Sequence, residues 1–366
     1  MRLRLHDLGY LLALGTALLP WGALGLHRLG LPLDLAAWFP VLFVFGVVPL
    51  IDLAFGVDRR NPADADEAAA REHALYFRLL TWLCVPLWLG ALAWCLHIAI
   101  TLSFGPLGLL GWLLGAGVIG GALAINVAHE LIHKPGRFEP ALGGILLTSV
   151  GYPGFKIEHL RGHHVHVSTP RDRSSAPLGM GVWRFLPRAL IGNSRAAWML
   201  EAERLQARGL ATCSWHNELL RWGLLWLAFV LAAFAGLGLR GMAAFIAIGL
   251  IAAATLEVIN YVEHYGLERR ELAPGRFERV THLHSWNASQ RYSNWLLFEL
   301  QRHSDHHAHA RRRYPALLHH ADSPQLPVGY ATMFVLALIP PLWRRVMDPR
   351  ARACGARALG DASTAG

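Results

Sequence analysis

Six apolar runs, each near the length needed to cross a bilayer, limit what this chain can become more than any other feature. They fall at about residues 8–26, 35–51, 74–100, 107–128, 222–239 and 242–262. A helix needs roughly 20 apolar residues to cross the hydrocarbon layer, since each residue advances it only about 1.5 Å. No water is available there for backbone polar groups, and helices satisfy those groups internally. The composition agrees, with 54% of residues hydrophobic and only 16% charged. The expected fold class is an all-α integral membrane protein with six transmembrane helices.

Two other apolar stretches are read differently. Residues 141–155 hold four glycines and a proline and are too short for a full span, so they are expected to be re-entrant or interfacial. Residues 328–343 contain Pro340-Pro341 and run into Arg344-Arg345, which suits a C-terminal interfacial helix lying on the membrane. Met1-Arg2-Leu3-Arg4 could open a cleaved signal peptide. With no small-x-small site after it and more spans to follow, it reads as a retained anchor. The whole of 1–366 is expected to be a single membrane-embedded catalytic domain, with 348–366 a flexible tail.

The net charge of +9 raises nucleic-acid binding, but the cations flank the apolar runs, and loop charge bias explains them without a nucleic acid. With the N-terminus inside, the outer connections at about 27–34, 101–106 and 240–241 contain only Arg28 and Arg240 as cations. Arg59, Arg60, Lys134 and Arg311-Arg312-Arg313 then lie inside, as the positive-inside rule requires. Segments 129–221 and 263–347 are thereby expected together on the cytoplasmic face of a bacterial-type inner membrane. The four cysteines form no Cys-x-x-Cys pair, against a zinc ribbon or a disulfide framework.

Histidines collect in those two segments. The run His129-Glu130-Leu131-Ile132-His133 puts two imidazoles on one helical face where a span ends. His159, His163 and His164 repeat the four-residue spacing, His264 sits at the exit of the last span, and His303, His306 and His307 share a face near the C-terminal end. One catalytic zinc needs three protein ligands and a water, so nine histidines suit two metal ions with open positions. Imidazole binds iron, copper and zinc alike, and redox chemistry beside an apolar channel favours the first two. His129-Glu130-x-x-His133 alone also fits an intramembrane zinc metalloprotease with Glu130 as its base. A histidine-lined metal transporter would distribute its ligands through the membrane depth, which this chain does not. Glu130, Glu158, Glu263, Asp305 and Asp172 stand near the histidines, either to orient their ring N–H groups or as solvated neighbours. His166, His282, His284, His309, His319 and His320 are left without a role.

At His129 to Lys134, Glu158 to His164, Asn260 to Leu267 and Leu300 to Ala308 the chain resembles the membrane-bound alkane monooxygenase family, within the integral-membrane desaturase and hydroxylase group. The likeness extends from the Asp52–Pro62 turn, through Ser214-Trp215-His216-Asn217-Glu218, to Leu338–Arg344. It implies a non-haem di-iron centre on the nine histidines, dioxygen as co-substrate, and terminal hydroxylation of medium-chain n-alkanes. Rubredoxin and its reductase are the implied electron donors. Two departures, arginine at Arg171 within Thr169-Pro170-Arg171-Asp172 and methionine at Met180 within Gly179-Met180-Gly181, bear on loop electrostatics and substrate preference.

That chemistry suits the chain. A terminal C–H bond has no charge and no acidic proton, so acid–base groups cannot activate it and the reaction must belong to a metal and dioxygen. Apolar spans can form a channel that presents an alkane end-on, with Trp38 and Phe39 expected to limit its depth or, alternatively, to serve ordinary packing. No flavin, haem or iron–sulfur motif is present to supply electrons. Arg311, Arg312, Arg313, Arg344 and Arg345 could attract an acidic carrier or anionic lipid. A related membrane di-iron enzyme acting on xylene-type or acyl-chain substrates is the nearest alternative.

Overall fold

The computed structural model describes residues 3–364, with side chains as far as residue 356. Five helical segments among them are long and apolar enough to cross a membrane: α1 (Leu5–Arg28), α2 (Leu33–Phe55), α3 (Ala65–Thr101), α4 (Pro106–Ile132) and α5 (Glu218–His264). Many leucines of these segments, Leu42, Leu50, Leu53, Leu107, Leu231 and Leu250 among them, point outward. Helices apolar on all sides are suited to lipid, and a belt of this kind would be insoluble in water.

The fifth segment combines two of the expected runs. As one rod its 47 residues would reach about 70 Å, over twice the hydrocarbon thickness. It is not one rod. Gly238 leaves helical geometry at φ 68° and ψ −169°, a conformation that glycine adopts without a Cβ penalty. The rings of Phe229 and Phe245 lie 6.4 Å apart, whereas on a straight helix their positions would be about 24 Å apart. The chain therefore folds back on itself at Gly238, beside the turn expected from the sequence.

Close packing joins α2 to α4. A Cβ on Gly111 would come within 2.7 Å of the Trp38 indole, so glycine is what lets that ring lie flat on α4. The Trp38 Nε1–H donates to the carbonyl of Leu107 at 3.1 Å. A short helix, α6 (Phe138–Ser149), occupies the stretch expected to be re-entrant. It is held by the Trp88 Nε1–H donating to Ser149 Oγ at 2.8 Å, and most of its length is buried.

The stretch expected to form one interfacial helix is two helices, α7 (Tyr330–Ala337) and α8 (Pro340–Thr364). They do not simply rest on a surface. Tyr330, Met333, Ala337 and Trp343 are buried with Tyr261 of α5 and Tyr265, the residue just after it, in a second core. Helix α8 also carries through most of the tail expected to be flexible, as far as Thr364.

Helix α9 (Val182–Gln206) packs into this second core through Val182, Phe185 and Ala189 and carries the buried Glu201. Its carboxylate accepts from Arg161 at 2.9 Å, from Arg204 at 2.8 and 2.6 Å, and from the Glu218 N–H at the start of α5 at 2.7 Å. Burial opposes its ionisation, but those donors prevail and hold its pKa down to about 2. A carboxyl depressed on folding contributes stability that is present above its unfolded pKa and lost as the pH falls through the folded value. Glu201→Gln is expected to cost about 1–3 kcal/mol at neutral pH. The variant's thermal midpoint should converge with the parent's as the pH drops from about 5 towards 2, a trend that melting curves at stepped pH will check.

Candidate metal centre

Four pieces of chain deliver the nine histidines. Helix α4 carries His129 in its last turn and is followed at once by His133. Residues 154–166 form a short helical stretch carrying His159, His163 and His164. His264 is the last residue of α5, and α10 (His303–Ala308) carries His303, His306 and His307. The structure brings all nine together and divides them. His129, His133, His159, His164 and His306 form one group, and His163, His264, His303 and His307 form another.

The division follows local backbone geometry. The turn over His159–His163 is a π-turn, closed by i→i+5 hydrogen bonds and so one residue longer than an α-turn. It aligns His159 with His164 and turns His163 towards the other group. A second π-turn, Gly121–Ile125, lies just before His129 in α4. Phe298 and Glu299 take left-handed φ values of 49° and 56° just before α10. Such strain in bulky residues persists only where surrounding contacts enforce it. Here Glu299 accepts from Tyr10 of α1 at 2.7 Å and lies 3.0 Å from Arg302 Nε.

The ring nitrogens are spaced as ligands of a common ion. In the first group the Nε2 atoms of His133 and His159, of His159 and His164, and of His164 and His306 are 3.0, 3.0 and 3.2 Å apart. In the second, His264–His303 and His303–His307 are at 3.2 and 3.0 Å. Metal–imidazole bonds of about 2.0–2.1 Å place neighbouring ligand nitrogens roughly 3 Å apart at right angles. The buried Nε2 atoms of His129 and His163 have no hydrogen-bond partner among the described residues. Burial, followed by the neighbouring imidazoles, drives His159, His164, His303, His306 and His307 well below the usual histidine pKa, which keeps them in the neutral ligating form. On these grounds the residues fit a two-metal centre.

The five carboxylates singled out from the sequence have different positions. Asp172 is buried, and its Oδ2 lies 2.9 Å from His163 Nδ1 while accepting from Ser175 Oγ at 2.6 Å. Burial alone would lower His163, but Asp172, with Glu158 and Glu263, raises it to about 9. The surroundings of this ring favour positive charge, which is what an ion at Nε2 brings. Glu263 places Oε2 3.2 Å from His303 Nε2, on the side where the ligand nitrogens converge. Burial, and then Asp172, pushes Glu158 up to about 8. Glu130 turns away to Lys134 Nζ at 2.9 Å and the Tyr314 N–H at 3.4 Å, so its carboxylate is engaged and does not face the metal groups as a protease base would. Asp305 also points away, accepting two bonds from Arg312 at 2.7 and 2.6 Å and one from the Leu318 N–H at 3.0 Å.

An open cavity reaches both groups at His129 and His303. Its walls are mainly apolar side chains of the spans, including Leu19, Val44, Phe45, Val48, Ile119 and Leu256, with Asn126, Asn260 and Glu263 at the histidine end. The lining does not include Trp38 or Phe39. Trp38 is committed to Gly111, and the Phe39 ring packs against Gly22. The π-turn Phe43–Val47 carries the lining of α2 one turn further along, to Val44, Phe45 and Val48.

Residues 104–337 match the family described as fatty acid desaturase. Alkane 1-monooxygenase 1 of Pseudomonas aeruginosa is 52% identical over 317 residues, covering 86% of this chain and 82% of that protein. Alkane 1-monooxygenase 2 of Alcanivorax borkumensis is 48% identical over 87% of this chain and 84% of its own length. The chain belongs to the alkane 1-monooxygenase family. The xylene/toluene monooxygenase hydroxylase component of Pseudomonas putida is more distant, at 29% identity over 84% of this chain and 79% of that protein.

Sequence reasoning overlooked several residues that position the centre in this alkane 1-monooxygenase relative. Asn287 accepts from the Ser304 N–H at 2.9 Å and donates to Ser304 Oγ at 2.7 Å, which secures the start of α10. Ser285 Oγ lies 3.4 Å from His264 Nδ1. The run His284-Ser285-Trp286-Asn287, polar residues around a tryptophan, was the available signal. The arginine run is only partly exposed. Arg312 is bound to Asp305, and Arg313 donates to Glu139 at 2.6 Å, which leaves Arg311, Arg344 and Arg345 outermost.

Proposed function

We propose that this chain hydroxylates the terminal carbon of medium-chain n-alkanes, using dioxygen and two iron ions held by the nine histidines. The observation that carries the reading is the joint geometry: an apolar cavity ends at two adjacent all-histidine groups, and relatives at about half identity bear the name alkane 1-monooxygenase. The iron supplies activation of dioxygen and of the C–H bond. One oxygen atom enters the alcohol and the other leaves as water, with two electrons and two protons supplied from outside.

The chain's own residues supply confinement and orientation. An alkane has no polar handle, so Val44, Phe45, Val48 and Leu256 would select C1 by holding the molecule end-on. Asp172 would keep the His163 proton on Nδ1 and leave Nε2 for the ion, and Ser285 stands in the corresponding place behind His264. Glu263 at the cavity's end could hold a proton or an ion there. Six crossings, with the fifth segment counted twice at Gly238, would place the centre on the cytoplasmic side of the inner membrane. An acidic rubredoxin would approach over Arg311, Arg344 and Arg345, and carry electrons from its reductase.

The test is product analysis of the reconstituted protein with octane, hexadecane, xylene and an acyl ester, supplied with rubredoxin and its reductase. Primary alcohols from the alkanes and about two irons per chain are expected. Conversion of the acyl ester alone, or one zinc per chain, would overturn the reading. Leu256→Trp should fill part of the cavity, shifting the ratio of octane to hexadecane turnover towards octane by about tenfold.

A further inference from the structure

Two of the histidines left without a role, His282 and His320, meet Asp322 outside the nine-histidine centre. His282, His320 and Asp322 each offer a ligand atom, and the three atoms lie within 4.8 Å of one another. His282 Nε2 is 2.8 Å from Asp322 Oδ2. The rings of His282 and His320 are stacked 4.5 Å apart, 14° from parallel.

The orientation of His320 adds a second, independent observation. Its Nε2 lies 2.9 Å from Oδ1 of Asp305, a fully buried carboxylate already tied to Arg312 and to the Leu318 N–H. A carboxylate accepts, so the tautomer that bonds to it carries its hydrogen on Nε2 and has a lone pair on Nδ1. A carboxylate behind an imidazole is the usual support of a metal-bound histidine. The Asp322 side chain is 70% exposed, which gives an ion access from solvent and room for water ligands. Two imidazoles and one carboxylate suit zinc or another divalent transition ion, and not magnesium or calcium, which take oxygen donors.

We infer that His282, His320 and Asp322 form a third metal site, at the surface, for one divalent transition ion. It is separate from the nine-histidine centre and joined to it through Asp305, which lies between His303 and His306 on α10. An ion there clamps the 318–325 loop to the 281–284 segment and holds Asp305 from behind. The inference does not depend on the substrate or on the reaction.

The test is cobalt(II) titration of the full-length, iron-loaded protein in detergent, read by metal analysis and by visible absorption without substrate or dioxygen. One cobalt per chain beyond the iron is expected. His282→Ala and Asp322→Asn should each weaken its uptake at least tenfold while the iron content and alkane hydroxylation stay at the parent level. His307→Ala should lose catalytic iron and still take up the surface cobalt. Uptake unchanged in both surface variants, or no uptake beyond the iron, would overturn the proposal and leave His282–Asp322 as a surface ion pair only.

Discussion

Alanine at His307 is expected to lower iron from about two per chain to about one and to reduce alkane hydroxylation at least about a thousandfold. His307 belongs to the smaller group, with its Nε2 3.0 Å from that of His303, so its loss leaves three histidines on that side. The five-histidine group shares none of these ligands and should keep its ion. Metal analysis together with octanol yield will check this. Both ions retained with activity intact would refute the grouping, and loss of both would mean that the two sites fill together.

Asparagine at Asp172 should have the second-largest effect. The carboxylate accepts from Ser175 and lies 2.9 Å from His163 Nδ1, and a neutral amide holds that imidazole proton more weakly. Disturbing a carboxylate behind a ligating histidine weakens metal affinity by about 10–100-fold. Iron should leave Asp172→Asn faster than the parent under a fixed chelator concentration, with a matching fall in hydroxylation. Asp305→Asn provides the contrast. Asp305 sits within a histidine triplet in sequence, yet it faces Arg312 and Leu318, so its change should lower the melting temperature and release iron much less readily. If the two variants released iron equally, Asp172 would have no special part in positioning His163.

Much of the fold was legible from the chain alone because it rests on local properties. The length of an apolar run determines whether a helix can span lipid, and the runs at 74–100 and 107–128 became Leu75–Thr101 and Pro106–Ile132 with little change. The turn near residues 239–242 was also visible, since a continuous 218–264 helix would be far too long for a bilayer. Less legible were the parts whose packing depends on distant residues. Residues 328–343 look interfacial by composition, but Tyr330 and Trp343 find partners in Tyr261 and Tyr265. Trp38 looks like a channel residue until Gly111 on another helix provides the flat surface that takes it up.

The sequence by itself determined that nine histidines would gather at one end of an apolar helical bundle, because helical spacing and hydrophobic length are written residue by residue. Only the tertiary structure decided which histidines stand together as one candidate ligand group. Spacing pairs His159 with His163, but the π-turn adds a residue to that turn, so His159 joins His164 and His163 crosses to the group of His264, His303 and His307. Tertiary packing likewise put Asp172, and not Asp305, behind one of the nine histidines, since a side chain's direction is set by what lies beside it in space and not by its neighbours along the chain.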